Sequence, residues 1–135
     1  MRFLLDVSVL VSLGVRDHEF HDRAVRWLSK VAASGAPELA TCAITELGFV
    51  RVIAQAPQYG FNVDQARRLL LQIKADAPAH FTFIPDDHDV SHLPEWVKTP
   101  KQTTDGHLAQ LARANGAVFA TFDRGIPGAF FVPNQ

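Results

Sequence analysis

Ala117-Val118-Phe119-Ala120-Thr121-Phe122-Asp123-Arg124-Gly125 is an apolar run that stops at a carboxylate, and the segment before it decides how it must be placed. From Thr104 to Asn115, Leu108, Leu111 and Ala112 recur on one side of a helix, and Gly116 suits the turn that ends it. A helix from about residue 105 to 115 travels roughly 16 Å down a sheet, and a strand over 118–122 climbs about the same distance back. Asp105 and Asp123 therefore finish on one edge.

Working outward, Phe3-Leu4-Leu5-Asp6-Val7-Ser8-Val9-Leu10 also carries a strand that ends in an acid. Apolar runs at 3–5, 39–42, 81–84 and 118–122 alternate with helical patterns. That alternation predicts a single α/β domain over residues 1–135, with a central, mostly parallel sheet flanked by helices. Phe20, Ala24, Trp27, Leu28 and Val31 keep helical spacing until Gly35 and Pro37 stop them, and Ala66, Leu69, Leu70, Ile73 and Ala77 do so within Asp64 to Ala77. The helix from about Ala43 to Gln55 is apolar almost all round, so a second covered side, in a dimer or against a partner, is expected. Pro85 to Gln102 reads as a long connection with at most one helical turn, near Leu93 to Val97.

Parallel strands carry Asp6, Glu46, Asp105 and Asp123 to the carboxyl edge, where open α/β sheets bind ligands. Two ionised carboxylates about 5 Å apart repel by roughly 3 kcal/mol at an effective dielectric near 20. A cation relieves that repulsion. An all-oxygen set favours Mg²⁺ or Mn²⁺ over zinc, and Mg²⁺ commonly adds substrate phosphate oxygens, which points to phosphoryl-transfer chemistry.

The net charge of -1 conceals an uneven balance. Without the four suspected ligands, 10 of the 14 acids face 13 Lys and Arg, a distribution compatible with a phosphate-bearing substrate. No apolar stretch approaches the roughly 20 residues of a membrane span, and the N-terminus lacks the flanks of a signal peptide. A soluble, cytoplasmic protein with no membrane contact is expected. Cys42, the only cysteine, is expected to be a small buried hydrophobe.

Three motifs resemble the PIN domain family, in particular the VapC-type toxin ribonucleases of type II toxin-antitoxin pairs. They are Leu4-Leu5-Asp6-Val7-Ser8-Val9-Leu10, Thr45-Glu46-Leu47-Gly48-Phe49-Val50-Arg51, and Thr104-Asp105-Gly106-His107-Leu108 leading through Ala117 to Thr121-Phe122-Asp123-Arg124. His21 to Leu28 is similar as well, so the ordered set spans most of the chain. The resemblance implies a Mg²⁺- or Mn²⁺-dependent endoribonuclease in which Asp6, Glu46, Asp105 and Asp123 hold the metal. It also implies a homodimer and a cognate antitoxin that inhibits it. Ser8 stands where the family often has Asn, a departure that bears on the contact with Asp6. Thr104 and Thr121 match positions flanking the acids, and Arg51 and Arg124 are candidates for substrate phosphate.

Other readings compete with these. Each acid taken singly would serve as a helix cap or surface charge, and Glu46 would pair with a nearby Lys or Arg. His18 with His21, and His88 with His92 beside Asp86, Asp87 and Asp89, have metal-like spacing but read as a helix start and a polar loop. His107 is expected to point sideways from its helix, and Trp27 and Trp96 to serve core or interface. An aspartyl-phosphate phosphatase would need an acid at position 8, and a nucleotide-cofactor fold would need a glycine-rich phosphate loop. The alternatives that share the fold are a non-cleaving PIN-like domain that binds RNA or protein, and an RNA-processing nuclease that is not a toxin.

Overall fold

A computed structural model describes residues 1–35 and 37–134. Its strands are β1 (Arg2–Leu5), β2 (Glu38–Thr41), β3 (His80–Phe83), β4 (Ala117–Thr121) and β5 (Phe130–Phe131). Its helices are α1 (Val7–Gly14), α2 (His21–Ala33), α3 (Ala43–Gln55), α4 (Val63–Asp76) and α5 (Thr103–Ala114). The strands form one sheet in the order β3-β2-β1-β4-β5, and every pairing is parallel. The predicted α/β class and the four predicted strands are therefore present, each within about a residue of its expected bounds.

Strand alternation sorts the core into two layers. Phe3, Leu5, Leu39 and Ala120 pack with Trp27, Leu28, Phe49, Ile53 and Leu70 from α2, α3 and α4. Leu4, Ala40 and Phe119 pack with Leu108, Leu111 and Ala112 of α5. Cys42 is fully buried in that second layer, and Trp27 is buried in the first.

Besides the short β5 and a 3₁₀ turn at Pro57–Tyr59, which the sequence reading does not include, two regions differ from it. The apolar run of β1 does not end the regular structure: Asp6 caps a helix, α1, by accepting the Val7 N–H at 2.7 Å. Periodicity alone does not separate the two, because Val9, Leu10 and Val11 are all buried and leave no polar face to count. The 85–102 connection contains two 3₁₀ turns, Val90–His92 and Pro100–Gln102, rather than one near Leu93 to Val97. Side-chain caps select those positions. Asp89 accepts the Ser91 N–H, and Thr99 with Gln102 closes a reciprocal box before α5.

Gly116 leaves α5 in the left-handed conformation at φ 67°, which turns the chain straight into β4. Two other glycines let elements approach closely beside the acids. A Cβ on Gly48 would lie 2.6 Å from Val7 Cγ2, and one on Gly106 would lie 2.2 Å from Val97 Cγ2.

Candidate active site

Asp6 is fixed twice. Its backbone N–H donates to Ala120 O at 2.9 Å, extending the β1–β4 ladder by one residue, and its carboxylate is then held from two sides. Oδ1 accepts the Val7 N–H and Oδ2 accepts the Thr121 hydroxyl at 2.7 Å. Thr121 is fully buried and also accepts the Asp123 N–H at 3.0 Å, so one hydroxyl orients the acids that follow β1 and β4. Asp105 lies in the first turn of α5, where an acid complements the helix dipole.

Neighbouring aspartates add to burial at Asp6 and at Asp105. Burial raises the Asp6 carboxyl above its ordinary range, the hydrogen bonds from Thr121 and Val7 oppose that rise, and Asp123 adds to it. Asp105 is likewise raised, by burial first and then by Asp6 and Asp123. Neither Asp6 nor Asp105 meets a Lys or Arg within ion-pair distance among the described residues, and the same holds for Asp123. Close, partly buried, unpaired carboxylates are the donor chemistry that a hard divalent cation suits. Among the described residues, no three His, Cys, Asp or Glu side chains close into a ready metal cage.

Glu46 differs. It lies in the first turn of α3, above β2, as its place in the sequence suggests. Lys74 Nζ stands 2.6 Å from Oε2, and the buried Thr41 hydroxyl donates to the same oxygen. Both partners engage Oε2, which leaves Oε1 available to a cation. The sequence reading allowed for a nearby cation but did not find Lys74, which is 28 residues away on α4. Thr41 carried a usable signal, since it ends β2 as Thr121 ends β4.

The supporting candidates divide. Thr121 orients Asp6 as described. Ser8 makes no side-chain hydrogen bond to Asp6 among the described residues: its carbonyl accepts the Ser12 hydroxyl, and both Asp6 oxygens are served by Val7 and Thr121. Thr104 is exposed, and Arg51 is exposed five residues beyond Glu46, about 140° round and roughly 7 Å down the helix. Arg124 follows Asp123 and lies with its guanidinium carbon 3.9 Å from the centre of the Phe131 ring.

Three of the candidate histidines have structural partners, whereas the buried His88 Nδ1 has no hydrogen-bond partner among the described residues. His18 Nδ1 accepts the Phe20 N–H, His21 Nδ1 lies 2.7 Å from Ser12 O, and His107 bonds Asp86 on the side of α5 away from Asp105. A groove of about 900 Å³ lies between α5 and the 94–98 segment, lined by Trp96, Arg113 and Phe119 and by none of the four acids. The carboxylates instead occupy the open edge of the sheet, a shape that admits a long polymer more readily than it encloses a small molecule.

A PIN domain profile matches residues 3–129. The chain is 39% identical over 140 residues to ribonuclease VapC44 of Mycobacterium tuberculosis, covering 96% of this chain and 94% of that one. It is 38% identical over 128 residues to ribonuclease VapC38 of the same organism, covering 91% and 86%. Among solved structures, a chain of VapBC2 from Rickettsia felis, in a complex bound to a DNA fragment from their promoter, superposes with a TM-score of 0.63. That likeness covers 97% of each chain at 16% identity, and so concerns the fold.

Proposed function

The chain belongs to the PIN domain family, among the VapC-type ribonucleases, and from that premise we propose that it is a divalent-metal-dependent endoribonuclease acting as the toxin of a toxin-antitoxin pair. The observation that carries the reading is the convergence of Asp6, Asp105 and Asp123 on one sheet edge, where burial and mutual repulsion raise Asp6 and Asp105. Asp6, Glu46, Asp105 and Asp123 would hold Mg²⁺ or Mn²⁺. When bound, the metal supplies a polarised water and charge stabilisation at the scissile phosphodiester.

The rest of the chemistry belongs to the chain. Thr121 keeps Asp6 and the backbone of Asp123 in fixed relation, so the donors do not have to be ordered anew at each turnover. Thr41 and Lys74 hold Glu46 Oε2 and leave Oε1 without a hydrogen-bond partner among the described residues. The edge itself remains open to a polymer backbone.

The partners follow from the same reading. The similarity to VapC proteins, and the VapBC complex among the neighbours of the same fold, support a cognate antitoxin. Leu47, Val63 and Leu71 are more than half exposed beside a cleft of about 250 Å³ between α3 and α4, which supports a homodimer through that face. Among the described residues, no helix is long and apolar enough to cross a membrane.

The test is cleavage of single-stranded RNA by the purified chain in Mg²⁺ or Mn²⁺, beside Asp6→Asn and Asp105→Asn. Cleavage by the wild type and its loss in both variants is expected. Equal rates in all three proteins would refute the site.

A further inference from the structure

Beside Asp123, the structure gathers two guanidinium groups with no acid between them. Arg124 lies 3.9 Å and Arg23 4.8 Å from the centre of the Phe131 ring. Arg23 also lies 4.9 Å from Phe122 and 5.2 Å from Phe20, whose rings are themselves 4.8 Å apart. Arg23 is anchored: its Nε and Nη2 donate to Val132 O, and Nε is shared with Pro133 O. Burial, and then the charge of Arg124, makes its protonated form less favourable than usual.

Neither arginine joins an ion pair among the described residues. Asp123, which precedes Arg124, accepts the Gly125 N–H on Oδ1 at 2.8 Å. Arg124 donates no hydrogen bond to the described protein, so its N–H groups remain available. Two mutually repelling cations held against one aromatic ring lack only an anion, and a planar guanidinium suits a phosphate.

The location identifies which phosphate. Phe131 pairs in register with Thr121, the residue that orients Asp6, so the stack adjoins the acid edge by one strand. It lies toward β5, the last strand of the sheet, where no further strand blocks the path. A chain crossing the acids with its scissile phosphate would bring a neighbouring phosphate to the arginines.

We propose that Arg124 and Arg23, stacked on Phe131, form a binding subsite for the RNA phosphate adjacent to the scissile one. Arg124 is the contact, Arg23 the fixed second charge, and Phe131 the surface that orders both. The inference rests on the ribonuclease reading of the same edge. It adds where the flanking strand runs and which residues hold it.

The experiment measures affinity for a short single-stranded RNA in an Asp6→Asn background across a salt series, with cleavage followed in the otherwise wild-type protein. Arg124→Ala is expected to weaken binding about tenfold and to lower the slope of log K against log salt by about 1. Arg124→Lys and Phe131→Leu should fall between, and in cleavage KM should rise far more than kcat falls. Arg113→Ala, an exposed arginine in the last turn of α5, is the control for general charge loss.

An unchanged affinity and slope in Arg124→Ala, or an equal loss in Arg113→Ala, would overturn the subsite while wild-type cleavage left the ribonuclease reading intact. A polyglutamate peptide that binds the wild type and needs Arg124, with RNA affinity unaffected, would assign the cations to an acidic protein segment and also overturn it. Wild-type protein that neither binds nor cuts RNA would remove the ribonuclease reading and the subsite together.

Discussion

Two groups of acids lie near the carboxyl ends of the strands, and they solve the same electrostatic problem in opposite ways. After β3, Asp86 accepts the His88 N–H at 3.0 Å and bonds His107. Burial pushes its carboxyl up, but those donors outweigh it and hold the group below the ordinary carboxylate range. Asp6 after β1 and Asp105 in the first turn of α5 are raised, and their neighbours include further carboxylates. In the first group the Asp86 carboxylate is served by protein donors; in the second the aspartates meet no Lys or Arg among the described residues. Clustered acids alone therefore do not mark a site, whereas clustered acids that raise one another do.

The largest effect should separate the two groups by activity. Asp123→Asn is expected to lower RNA cleavage by at least about 100-fold, whereas Asp86→Asn should change it only a few-fold and act mainly on stability. Initial rates on one RNA at saturating Mg²⁺ check both. Comparable losses in the two variants would erase the distinction.

A smaller effect concerns how the acids are presented. Gly106→Ala forces a methyl against Val97 beside Asp105 and should cost about 1–3 kcal/mol in urea unfolding. Next comes Glu46, which resembles the self-satisfied group because Lys74 pairs with it. Lys74→Met is expected to cost about 1–2 kcal/mol, less than a fully buried pair, since both side chains keep some exposure. Lys74→Arg should restore part of it.

The smallest effect has a defined sign. The Asp105 carboxyl is raised in the folded state, so its contribution to stability is fully present below the unfolded pKa and is lost as pH rises through the folded one. Asp105→Asn should therefore raise the melting temperature of the metal-free protein near neutral pH by a few degrees, with the gain vanishing toward about pH 4. Asp86, lowered in the folded state, should behave in reverse. Its contribution is present above the unfolded pKa and lost as pH falls through the folded one. Paired melting curves across pH would show whether the signs differ.

The contrast also explains what was legible beforehand. The ends of β1 and β4 were readable because the apolar run, the terminal acid and the following polar residues are local in the chain. α3 was readable because its pattern fills Ala43 to Gln55. α1 was hidden because Val7 to Gly14 continues the apolar run of β1, although Asp6 as a cap was a usable sign. β5 is two residues long and carries no periodicity. The neutralisation of Glu46 by Lys74, and the stacking of Arg23 and Arg124 on Phe131, join residues far apart in sequence. The α3–α4 contact brings the first pair together, and the bonds from Arg23 on α2 to Val132 O bring it to Phe131.

The central claim is that the three aspartates and Glu46 constitute a divalent-cation site, and calorimetric titration with Mn²⁺ in the absence of RNA tests it directly. The account predicts saturable binding to the wild type that is lost or greatly weakened in Asp6→Asn and in Asp123→Asn, and retained in Asp86→Asn. Equal Mn²⁺ binding by wild type, Asp6→Asn and Asp123→Asn, or loss of it in Asp86→Asn alone, would contradict it.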